Sequence, residues 1–86
     1  MYTLDFDEKW HEYFDRLDKV IKERVRKKIR LLKHSLEGRH LKFGVNCFVL
    51  EIGQHRVCYK IDEQKKVKFI LFVGDHKEYE KWIGIR

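Results

Sequence analysis

The sequence predicts an α+β domain: a small, mostly antiparallel β-sheet covered by two N-terminal helices, in the order β-α-α-β-β-β, with a short C-terminal helix. Three observations predict it. Apolar residues recur every three or four positions through the first third of the chain, the period of one helical face. After Gly38 the period changes to two, and β-branched and aromatic residues dominate. Two of those runs are parted only by Gly53 and Gln54, the length and composition of a hairpin turn. The 86 residues suffice for one core and not for two, so residues 1–86 are read as a single domain.

The first run, TLDF at 3–6, alternates and is short, which suits an edge strand. From Asp7 onward Trp10, Phe14, Leu17, Ile21, Val25, Ile29, Leu32 and Leu36 form one apolar stripe. One straight helix over 8–36 would span about 43 Å, long for so small a domain. A break is therefore expected between Asp15 and Asp18, with Asp18 as N-cap of the second helix and Gly38 closing it.

VNCFVLEI at 45–52 and HRVCYKI at 55–61 form the hairpin, and a further short strand fits near 40–43. With Ile52 opposite His55, Leu50 falls opposite Val57 and Phe48 opposite Tyr59, which makes an apolar core face. The other face carries Glu51 opposite Arg56, Val49 opposite Cys58 and Cys47 opposite Lys60. Arg56, Cys58 and Lys60 thus align on a face expected to lie open, away from the helices. The two cysteines come out diagonal, which argues against a disulfide. They show no CxxC spacing and read as small buried hydrophobes. KVKFILFV at 66–73 is apolar on both faces from Phe69 onward and is expected inside the sheet. Gly74 ends it, and Asp75 with Glu78 reads as a capping box opening a terminal helix that aligns Tyr79, Trp82 and Ile83.

Charge is unevenly placed. Residues 18–34 carry eight Lys/Arg against two Asp/Glu, an excess equal to the net +6 of the whole chain. Such a face suits a polyanion or an acidic protein, although a solvated helix face has the same composition. The apolar run around Phe69–Val73 is far too short to cross a membrane, and no signal-peptide pattern precedes Trp10. A soluble, cytoplasmic protein is expected.

No Walker loop, GxGxxG, HExxH or nucleophile elbow is present. What remains are side chains suited to phosphates: Arg39, His40 and Lys42 before the hairpin, Arg56 and Lys60 on the sheet, and His76, Lys77 and Tyr79 after the last strand. Cleavage of RNA through its own 2′-hydroxyl needs a base, a cation at the phosphorane and an acid for the leaving oxygen. This set can supply all three without a metal. Each member also has a structural reading: Arg56 as the cross-strand partner of Glu51, His76 as an exposed helix residue, Tyr79 and Trp82 as core seals.

GRHLKFGVNCFVLEIGQHRVCYKID and ILFVGDHKEYEKW, preceded by a short strand and a basic helix, resemble the RelE/ParE superfamily of toxin–antitoxin toxins, especially its archaeal RelE-like members. The resemblance implies an mRNA interferase, an endoribonuclease that cuts mRNA in the ribosomal A site and inhibits translation. It implies no metal or other cofactor, and neutralisation by an acidic antitoxin that wraps the toxin. By matching segments, Arg56 resembles the phosphate-contacting strand arginine, His76 takes the place of the basic residue after the last strand, Tyr79 or Trp82 that of the aromatic, and Glu51 resembles the strand carboxylate base. Arg39, Lys42, Lys60 and Lys77 are then expected to hold the RNA backbone. Lys22, Arg26, Lys27, Arg30 and Lys33 are expected to meet the antitoxin or ribosomal RNA. Bacterial RelE toxins carry paired lysines where this chain has Val49 and Glu51. That departure leaves an alternative, a non-catalytic gyrase binder of the ParE kind or a degenerate toxin that only binds its antitoxin.

Overall fold

Asp18 decides where the N-terminal stripe breaks. Its Oδ1 accepts the Ile21 N–H at 2.9 Å, capping a helix whose first amides lack intrahelical partners. The stripe accordingly splits into α1 (Trp10–Phe14) and α2 (Lys19–Leu31). The computed structural model describes residues 1–34, the backbone of 39–40, and residues 47–84. Within these, α2 passes into a 3-10 turn over Leu32–His34. Leu36 and Gly38, expected to finish the helix, lie outside the described residues. α1 starts at Trp10, later than the apolar pattern suggested, because the Asp7 side chain and carbonyl take the Lys9 and Trp10 N–H groups into a turn at 3.0 and 2.9 Å.

Among the described residues five strands follow the order β1-β5-β4-β3-β2. They are β1 (Thr3–Phe6), β2 (Arg39–His40), β3 (Phe48–Ile52), β4 (His55–Asp62) and β5 (Val67–Asp75). Among the described residues only β1 with β5 is parallel. The hairpin register is the expected one from Phe48↔Tyr59 through Glu51↔Arg56 to Ile52↔His55. Gly53 turns the chain at φ +61, a backbone region that glycine enters without steric cost. The extra strand expected near 40–43 meets β2 at His40, and 41–43 lie outside the described residues.

One face of the sheet packs on α1 and α2. There Val25, Ile29, Leu32, Leu50, Ile52, Val57, Tyr59, Ile70 and Val73 form the main core with Trp10. The opposite face differs from the expected open surface. Tyr79, Trp82 and Ile83 of α3 (His76–Gly84), with Tyr13, cover Cys47, Val49, Cys58 and Phe72. Cys58 therefore has no exposed surface at all, and its alignment with Arg56 and Lys60 is interrupted by a second small core.

A β-bulge explains the continuous apolar run in β5. Cys58 pairs with Phe72 while Tyr59 pairs with Ile70, so Leu71 is the extra residue and inside–outside parity reverses there. Lys68 and Ile70 before it, and Val73 after it, all face the helices. Lys68 is only 1% exposed. Its Nζ donates to the Leu32 carbonyl at 2.8 Å and lies 4.2 Å from the Tyr2 ring centroid, a cation placed at a helix C-terminus. Lys68→Met keeps the volume and strands that carbonyl, at a cost of about 1–3 kcal/mol. Thermal unfolding should show a midpoint lowered by about 4–8 °C per kcal/mol; an unchanged midpoint would refute the role given to the ammonium.

Candidate functional site

The hairpin register and the β4–β5 ladder together build a cleft. Glu51 of β3 pairs with Arg56 of β4, and Arg56 pairs with Gly74 of β5. β5 then passes directly into α3, so His76 emerges beside Arg56. Glu51, Gln54, Arg56, His76 and Lys77, with Gly53 and Asp75, line a cleft of about 520 Å³. One hairpin and the start of α3, some twenty residues further along the chain, thus deliver Glu51, Arg56 and His76 to one place.

The β5–α3 corner is fixed by reciprocal capping. The Asp75 N–H donates to Glu78 Oε1 at 3.0 Å, and the Glu78 N–H donates to Asp75 Oδ1 at 2.9 Å. This is the capping box read from the Asp75–Glu78 spacing. It sets the angle at which α3 leaves the sheet, and hence where His76 points. One turn on, Glu80 Oε1 meets His76 Nε2 at 2.5 Å, which engages that ring nitrogen and leaves Nδ1 for a ligand. Arg56 is half-buried, and its guanidinium carbon lies 4.6 Å from the centroid of the Tyr79 ring.

Not every expected residue arrives. Lys77 lines the cleft. Tyr79 does not; it is 7% exposed and packs in the second core. Lys60 pairs with Phe69, four residues along β4 from Arg56, about 13 Å away at the strand rise. Arg39 lies in β2, but its side chain and the whole of Lys42 lie outside the described residues. The expectations missed Arg24. Its guanidinium nitrogens sit 3.4 and 3.6 Å from where a Cβ on Gly53 would be, so α2 delivers a cation to the hairpin turn that borders the cleft. No local pattern marks it, because the contact joins segments 29 residues apart.

A second, larger groove of about 860 Å³ lies between β1, α1 and α2. Leu4, Phe6, Trp10, Phe14 and Ile29 give it an apolar lining, and Arg26, Arg30 and Lys33 add cations. Lys22 and Arg26 stand over the Phe14 ring at 5.7 and 5.2 Å. Lys27 is exposed and does not line the groove. Three of the five cations expected to meet the antitoxin or ribosomal RNA, Arg26 and Arg30 of α2 and Lys33 of the 3-10 turn, therefore border one apolar channel.

Comparison with known proteins agrees with this architecture. The chain is 26% identical over 83 residues to the mRNA interferase toxin RelE of Escherichia coli K12, covering 92% of this chain and 87% of that protein. The toxin–antitoxin complex RelBE2 of Mycobacterium tuberculosis superposes with a TM-score of 0.77 at 24% identity, over 87% of this chain and 98% of that one. The isolated E. coli RelE toxin gives 0.74 at 24% identity over the full length of both chains. The archaeal RelE–RelB complex of Pyrococcus horikoshii gives 0.69 at 16%, covering 86% and 93%. At these identities the structures establish the fold, and the archaeal relative is the more distant in sequence. Residues 1–79 match the family model described as ParE toxin of type II toxin–antitoxin system, parDE, and with that match across nearly its whole length the chain belongs to the ParE toxin family of type II toxin–antitoxin systems.

Proposed function

We propose that residues 1–86 act as one toxin domain, a metal-independent endoribonuclease that cuts mRNA on the ribosome and so inhibits translation. The observation that carries this reading is the convergence of Arg56, His76 and Glu51 on one cleft with Lys77 at its edge. Arg56 donates to the non-bridging oxygens as charge builds on the phosphorane. His76 and Glu51 divide the two proton transfers: one takes the 2′-hydroxyl proton as the 2′-oxygen attacks phosphorus, and the other protonates the departing 5′-oxygen. The products are a 2′,3′-cyclic phosphate and a free 5′-hydroxyl. Lys77 holds the RNA backbone beside the cleft, and Lys60, Arg39 and Lys42 are the further cations assigned to backbone contact.

The partner that silences it is an acidic antitoxin. An amphipathic acidic segment fits the groove whose apolar lining is bordered by Arg26, Arg30 and Lys33, with Lys22 and Lys27 adding positive field. A cytoplasmic location goes with these partners. Among the described residues no helix is long and apolar enough to cross a membrane.

Expression in growing cells with mapping of mRNA 5′ ends tests the reading. New ends within translated frames, absent when ribosomes are blocked from initiating, are the expected result; intact mRNA during growth arrest would refute it. One observation favours a second reading, a gyrase-directed toxin: the matching family model is that of ParE. Arrest by that route would come with DNA damage rather than rapid loss of translation.

A further inference from the structure

Resting on the endoribonuclease reading, we infer that Tyr79 is a positioning residue, whose ring is the platform that holds the Arg56 guanidinium ready for phosphate, and whose hydroxyl takes no part in proton transfer. Resemblance placed Tyr79 among the reacting groups. The geometry places it beneath one of them. The ring is 7% exposed and belongs to the core formed with Cys47, Val49, Cys58 and Phe72. The Arg56 guanidinium stands over its face at 4.6 Å, where a stacking base would have to lie. Tyr79 also contributes nothing to the cleft lining, whereas Arg56, Glu51 and His76 all do.

The arrangement has a chemical consequence. A guanidinium whose carbon sits over a ring can keep N–H groups free at the edge of its plane, where a fork of two donors can meet two phosphate oxygens. Cation–π attraction holds the plane and strengthens as water is excluded. Arg56 comes from β4 and Tyr79 from α3, so seating of the terminal helix and orientation of the phosphate-binding cation become one event.

Two measurements test this. The first is the Arg56 side-chain Nε–Hε resonance of the free protein. A ring-current shift is expected in wild type and in Tyr79→Phe, and its loss in Tyr79→Leu; an unshifted wild-type resonance overturns the inference. The second is single-turnover cleavage of ribosome-bound mRNA. Tyr79→Phe should stay within about twofold of wild type and Tyr79→Leu should fall about tenfold. Ile83→Ala, which loosens packing on the same side of α3 without touching Arg56, should fall much less than Tyr79→Leu. A tenfold loss in Tyr79→Phe would mean that the hydroxyl reacts, and an equal loss in Ile83→Ala would mean that only helix docking matters; either overturns the inference. Should Tyr79→Leu fail to fold, the wild-type resonance and the Tyr79→Phe rate still decide. Should wild type not cleave at all, the functional reading fails, and the resonance alone decides this one.

Discussion

Arg56→Ala is expected to lower cleavage of ribosome-bound mRNA by about a hundredfold to a thousandfold, the usual cost of removing one donor aimed at developing transition-state charge. Arg56 is the described cation held between β3 and β5, with its guanidinium backed by a ring and its position common to the cleft that holds Glu51 and His76. Because the residue is half-buried at the sheet surface, its loss should leave the fold intact. With the antitoxin in the groove proposed for it between β1, α1 and α2, its binding should also survive, since that groove shares no residue with the cleft. Arg56→Lys should recover only part of the rate, because an ammonium keeps the charge and lacks the planar fork. Single-turnover rates, with thermal unfolding as the control for folding, measure this directly. A rate within threefold of wild type in Arg56→Ala would remove Arg56 from the chemistry.

The cleft was legible in the sequence wherever local rules govern it. Alternation through 47–60 and a glycine at position 53 fix the hairpin, and the pairing of Glu51 with Arg56 follows without tertiary knowledge. The spacing of Asp75 and Glu78 likewise fixes the corner that aims His76. What could not be read depends on contacts between distant segments. The bulge at Leu71 breaks parity in a run where both faces are apolar, so composition carries no sign of it. A nine-residue helix gives no hint of which surface it will cover, and the docking of α3 turned an expected open face into a core holding Cys58. Nothing in the KVKFILFV run marks Lys68 as buried. Only the arrival of the α2 carbonyl end makes its burial tolerable.

Gly74→Ala should damage the site from a position that touches no RNA. The backbone there is ordinary strand, so the argument rests on space and not on φ. A Cβ at residue 74 would lie 2.7 Å from Phe72 Cζ and 3.0 and 3.2 Å from Glu78 Cβ and Oε1. Phe72 has little freedom to yield, for it is 2% exposed and is held between the rings of Tyr13 at 4.8 Å and Trp82 at 5.0 Å. The strain must therefore move Glu78, which opens the capping box and shifts the first turn of α3. Overpacking of this kind costs about 1–3 kcal/mol, which corresponds to a midpoint lower by roughly 5–20 °C for a domain of this size. Cleavage should fall more than stability does, because His76 and Tyr79 both ride on the displaced helix. Removing a proton carrier alone costs about a hundredfold or more, so a loss of at least tenfold is expected at temperatures where the variant is still folded. Gly84→Ala is the matched control: a Cβ there meets nothing within 4 Å, and both stability and rate should hold. If Gly74→Ala were as stable and as active as wild type, the close approach of β5 to α3 would not be what orients the cleft.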